Sequence, residues 1–215
     1  MSFYGTAIGK KLIMSVTGAI LYAYVLAHLA GNLLVYAGRG ALNGYAHALH
    51  YSPQALWAAR AVLLVAVVVH IIVSFQLWWL NRHVARTAGY VKKKNVPPAY
   101  ASGTMIWTGP AIALFVIFHV LHLTTGSVGL PFRELYAYDN VTQGFRIGWV
   151  AAVYIAAMLL LSMHLYHGFW SLFQSLGVSH SRLNRNLKIA AHVLAIVIGA
   201  GFISIPVMAL AGVIG

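Results

Sequence analysis

The sequence predicts an all-α integral membrane protein: one domain over residues 1–215, built as a bundle of five transmembrane helices with its N-terminus cytoplasmic. Three observations predict this. The 215-residue chain is 61% hydrophobic and only 7% charged, whereas soluble domains carry about a quarter charged residues. Five apolar stretches, roughly 12–37, 56–82, 104–126, 146–174 and 189–213, reach the length of about 20 residues that a membrane crossing requires. The basic residues between these stretches fall mostly on one side.

The first span follows Lys10 and Lys11 and ends without a small-residue cleavage site, so it reads as a retained helix and not as a signal peptide. Gly38-Arg39-Gly40 marks its exit. Lys92, Lys93, Lys94 and Pro97-Pro98 separate the second and third spans. Gly126 through Pro131 ends the third, and Ser179 through Asn186 separates the fourth and fifth. Lys10, Lys11, Arg82, Arg86, Lys92, Lys93, Lys94, Arg182, Arg185 and Lys188 lie on one side, ten in all, against four (Arg39, Arg60, Arg133, Arg146) on the other. The positive-inside rule makes the ten-residue side cytoplasmic. All six tryptophans lie near span ends, where aromatic belts form.

Composition also excludes chemistry. Only Glu134 and Asp139 are acidic, which leaves no paired carboxylates for glycoside hydrolysis or a carboxylate-bridged di-iron centre. There is no cysteine, hence no disulfide, no covalently attached haem and no cysteine-held iron–sulfur cluster in this chain. The net charge of +12 is read as membrane topology and not as nucleic-acid binding, because the chain is so apolar.

Four histidines lie deep inside four different spans: His28, His70, His119 and His164. Ionisable side chains at membrane depth are costly and mark function. His28 lies 16 residues from the cytoplasmic start of its span and His119 lies 15 from that of its own, both roughly 23 Å deep. His70 and His164 lie 12 and 10 residues from their cytoplasmic ends, roughly 15–18 Å deep. The depths group them as an outer pair, His28 and His119, and an inner pair, His70 and His164. Two imidazoles from facing helices can clamp one haem iron and leave no open position, which suits electron transfer. The alternative is four buried histidines hydrogen-bonded within the bundle.

His122 and His167 each follow a candidate ligand by three residues and compete with it from a neighbouring part of the same helix face. Contacts to a propionate or a quinone, or plain solvation, are their other readings. His47 and His50 fall in the outer loop or a short interfacial helix. His83, His180 and His192 are expected near the inner surface in contact with water.

The segments LYAYVLAHLAGNLLVY, VVVHIIVSFQLWW, FVIFHVLHLTTG and LLLSMHLYHGFWSLFQSLG resemble the cytochrome b subunit of succinate dehydrogenase. More narrowly, they resemble its single-chain, five-helix, dihaem form, found also in fumarate reductases. The resemblance runs in order along nearly the whole chain. It implies two haem b groups with axial ligands at His28, His119, His70 and His164. It implies a flavoprotein subunit with covalent FAD and an iron–sulfur subunit, both docked on the cytoplasmic face of a bacterial or archaeal membrane. Electrons would pass between succinate or fumarate and a membrane quinone, with menaquinone the expected species. The direction and any higher oligomer of the complex stay open.

Quinone chemistry needs hydrogen-bond donors or proton carriers near a redox centre. Asn43, His47, Tyr51 and Arg60 form the outer candidate set; Lys11, Ser15 and Thr17 form the inner one. Asn43 and His47 also resemble family positions. Two departures stand out. Where the family often has a Ser-Arg-Thr-Met pattern, this chain has Ser102, Gly103, Thr104 and Met105. No span contains the membrane glutamate that some dihaem fumarate reductases carry. The competing expectation is a histidine-box di-iron oxygenase, since His47/His50, His119/His122 and His164/His167 all have HxxH spacing.

Overall fold

A computed structural model describes residues 3–83, 100–177 and 181–215. The described residues form helices and no strands: α1 (Ala7–Asn32), α2 (Arg39–His50), α3 (Pro53–His83), α4 (Tyr100–Leu123), α5 (Ala137–Phe145), α6 (Gly148–Ser175) and α7 (Ser181–Leu210). Five of them, with α1 prolonged to Ala37 by a 3₁₀ segment, are long and apolar enough to cross a membrane. Their apolar side chains face outward, as a lipid-facing bundle requires: Leu64 is 66% exposed, Leu114 69% and Ile196 66%. Such surfaces in water would be an aggregation liability.

The helix limits follow local chemistry. Thr6 starts α1, its hydroxyl accepting the Gly9 N–H at 3.0 Å. The helix thus begins five residues before the predicted 12 and takes in Lys10 and Lys11. The last turn of α4 ends at Leu123, before the predicted 126, because Gly126 turns the chain at φ +67. The polar residues after Ser181 extend α7 backward from the predicted 189, and it ends at Leu210 ahead of Gly212 at φ +70. The predicted basic loop at Lys92, Lys93 and Lys94, and His180, lie outside the described residues.

Two short helices close the end of the bundle away from α1's start. Gly38, at φ +95, makes the turn into α2 in a conformation that a side chain would strain. The second, α5, does not stand out in the sequence because Asp139, Asn140, Thr142 and Gln143 read as loop. Five of its nine residues are nevertheless buried. Asn140 ties down the preceding loop by bonding the Arg133 N–H at 2.7 Å and the Arg133 carbonyl at 2.8 Å. Asn43 of α2 accepts the Tyr138 N–H at 2.9 Å, and Arg39 pairs with Asp139 at 2.9 Å. Val35, Leu42, Val141, Phe145, Val150, Tyr154 and Ile205 make a closed apolar core there.

The long helices are arranged unevenly. The largest interface joins α6 to α7; α1 packs on α3 and α6, and α4 packs on α6. Among the described residues, no extended interface joins α1 to α4 or α3 to α6.

Candidate functional site

The histidine pairs lie across those two unpacked diagonals. His28 of α1 and His119 of α4 have ring centroids 5.7 Å apart in an edge arrangement. His70 of α3 and His164 of α6 are 6.4 Å apart. A metal–imidazole bond is about 2 Å long; with the ring's own half-width on each side, two rings sharing one metal atom sit roughly 6 Å apart. All four rings are only partly covered, although they lie at mid-helix. The levels are distinct. Thr17 of α1 meets His70, and His28 lies eleven residues further along the same helix, roughly 16 Å away.

Hydroxyls hold three of the four rings by Nδ1. The Thr17 Oγ1 lies 3.1 Å from His70 Nδ1, and Thr108 Oγ1 lies 3.4 Å from His164 Nδ1. The Tyr154 hydroxyl lies 3.3 Å from His119 Nδ1. The Thr17 hydroxyl also reaches the Ile13 carbonyl at 2.9 Å and the Met14 carbonyl at 3.1 Å, and with its proton on either of them it accepts from His70 Nδ1. Thr108 is placed in the same way, donating to the Met105 carbonyl at 3.5 Å. With Nδ1 protonated and donating to these hydroxyls, His70 and His164 present an unprotonated Nε2. Metal-bound histidines are held in this manner, since the bond from the other nitrogen fixes tautomer and orientation. Among the described residues no hydroxyl bonds the His28 ring; Tyr24 stacks on it at 5.4 Å and Phe202 lies at 5.9 Å.

Glycines make room beside the inner pair. A Cβ built on Gly18 would stand 3.4 Å from His70 Cε1, and one on Gly109 would stand 4.0 Å from His164 Cε1. The donor chemistry and the ring spacing fit a group held by two imidazoles at each level.

His122 takes a different position from the four. It is 0% exposed, with Nδ1 3.0 Å from the same Tyr154 hydroxyl and a buried Nε2 that has no hydrogen-bond partner among the described residues. A neighbouring Cβ on Gly144 would meet that Nε2 at 2.7 Å. Solvation, one reading of His122, does not hold. Leaving a buried polar group unsatisfied costs about 1–3 kcal/mol. His167 is half-buried and makes no hydrogen bond to a described residue.

The outer candidate set is not drawn together. Asn43 is occupied by the Tyr138 N–H, His47 is exposed, Tyr51 is 91% exposed, and Arg60 lies over the Trp57 ring at 5.0 Å. On the inner side, Ser15 and Thr17 are buried and bonded to their own helix. Exposed His50 and His192 bond backbone carbonyls four residues earlier, and His83 stacks on Trp79 at 3.9 Å. Sequence reading missed Thr17 as a histidine partner, along with Thr108 and Tyr154. No sequence signal marks the threonines: counted from the predicted span starts, Thr17 and Thr108 lie only five and four residues in, shallower than the histidines they touch.

No family model, curated protein or solved structure matches this chain.

Proposed function

We propose that this chain is a dihaem cytochrome b, the membrane-anchor subunit of a succinate:quinone oxidoreductase or quinol:fumarate reductase. The observation that carries the reading is the two-level arrangement of paired histidines across open helix diagonals, three of the rings held by Nδ1. His28 and His119 would hold one haem b; His70 and His164 would hold the other. Haem b supplies one-electron carriage when bound in such a site. The chain's own residues do the rest. The paired imidazoles would hold the group from two facing helices, Thr17, Thr108 and Tyr154 fix ring orientation, and the apolar helices keep water away from the interior.

The sequence segments that resemble the succinate dehydrogenase family extend the proposal to partners. A flavoprotein with FAD and an iron–sulfur subunit dock at the end of the bundle where α1 starts, which the basic residues assign to the cytoplasm. A histidine-box di-iron centre is supported less well, because no three His, Cys, Asp or Glu side chains come together among the described residues.

Purification from the native membrane tests this reading. Both partner subunits are expected in the preparation, with Lys92, Lys93 and Lys94 shielded from amine labelling. A chain that purifies without a flavoprotein contradicts it.

The resemblance carries menaquinone to the outer face. The fold does not draw Asn43, His47, Tyr51 and Arg60 together there, and the reading rests on His47. Of these residues, His47 is exposed, and its imidazole is the proton carrier of the reading. His47→Ala is expected to slow quinone-linked turnover about tenfold or more while dye-linked succinate oxidation and haem content are kept. Unchanged quinone turnover moves the site to the inner face near Ser15.

A further inference from the structure

We propose that Tyr154 and His122 are positioning residues for the outer pair. They form a relay, His119–Tyr154–His122, that sets the potential of the electron carrier held by His28 and His119. The inference rests on the haem reading above. One hydroxyl of α6 lies between two imidazoles of α4, 3.3 Å from His119 Nδ1 and 3.0 Å from His122 Nδ1. Tyr154 is 6% exposed and His122 is fully buried.

Ligation through Nε2 would fix every proton in this chain. His119 then carries its proton on Nδ1 and donates it to the tyrosine oxygen. Tyr154 has a single O–H, and its free direction is toward His122 Nδ1, which accepts. The remaining proton of neutral His122 is on Nε2, the atom that lies buried and unpartnered against Gly144. A histidine retained with an orphaned nitrogen is not there for packing alone, since an apolar side chain would fill the space without the orphan.

The inner pair is built differently. Its hydroxyls, Thr17 and Thr108, pass their protons to carbonyls of their own helices. Tyr154 passes its proton to a second imidazole, a stronger acceptor. Successive hydrogen bonds polarise one another, so His122 makes Tyr154 a better acceptor for His119. Greater electron density on His119 favours the ferric state and lowers the potential at this level.

The experiment is a redox-titrated visible spectrum of the purified complex, with the outer component assigned from the His70→Ala variant. Tyr154→Phe is expected to raise the outer potential by about tenfold in the ferric/ferrous equilibrium, or 59 mV for one electron, and to leave the inner potential in place. His122→Leu should shift it the same way, and His122→Gln, which restores an acceptor, should return it toward the wild-type value. Two haems with unchanged potentials in Tyr154→Phe overturn the proposal, and so does an equal shift of both. Should Tyr154→Phe lose the outer haem, the His122 variants decide: a shift in Leu reversed in Gln upholds the relay, and wild-type potentials in both overturn it. A wild-type complex without haem sinks the underlying reading and the relay with it.

Discussion

Replacing His70 or His164 with alanine is expected to halve the haem content, removing the inner group and leaving the outer one in place. Replacing His28 or His119 should do the reverse. The expectation follows from the pairing. Each iron would rest on two helices with no extended interface of their own, so losing one imidazole removes half of the protein's hold at that level. The two levels are roughly 16 Å apart along α1, and mutations beyond about 7–10 Å usually act independently. The variants should therefore fall into two spectral classes, split by depth and not by order in the chain. Four variants that all keep two haems would remove the ligand assignment.

Filling the space beside the inner pair should have the next largest effect. A Cβ on Gly18 meets His70 only at ordinary contact distance, 3.4 Å, so Gly18→Ala is expected to be tolerated. Gly18→Leu extends a branched side chain into the space beside the imidazole, where overpacking costs about 1–3 kcal/mol. That corresponds to roughly a fivefold to 150-fold weakening of haem binding. Gly109→Leu, whose Cβ starts 4.0 Å from His164, should act in the same direction and more weakly. The outer component is the internal control. Spectra of Gly18→Leu in which the outer component falls as far as the inner one would point to general unfolding instead.

Depth was the most legible part of the site. Helix rise is nearly constant, so counting residues from span ends groups His28 with His119 and His70 with His164, and the structure brings the same residues together. The levels nevertheless stand roughly 16 Å apart along α1 and not the roughly 5–8 Å of the count, because the span ends lie outside the predicted bounds. Which helices pack was not legible. The apolar faces all look alike in a chain whose lipid side and core side are both hydrophobic, so the open diagonals between α1 and α4 and between α3 and α6 appear only in the fold. The hydroxyl partners were hidden for another reason. Thr17, Thr108 and Tyr154 lie 53, 56 and 35 residues from the imidazoles they touch, and no local pattern links such pairs.

The short helix α5 escaped because its polar residues are spent inside the protein. Asn140 bonds the loop before it, and Gly144 allows the close approach of His122. His122 itself was visible by its spacing from His119, yet its burial depends on α5 and could not be read without it. The outer set around Asn43 and His47 shows the opposite failure. Those residues are neighbours along α2, but Asn43 is spent on the Tyr138 N–H, and Tyr51 points away into the open.

The most direct test of the dihaem reading is a haem determination on the purified wild-type chain in its native complex, taken with the reduced-minus-oxidised spectrum. The expected result is two haem b per chain, low-spin and six-coordinate, titrating as two one-electron components. A preparation that has its partner subunits but less than one haem per chain would contradict the paired-histidine site.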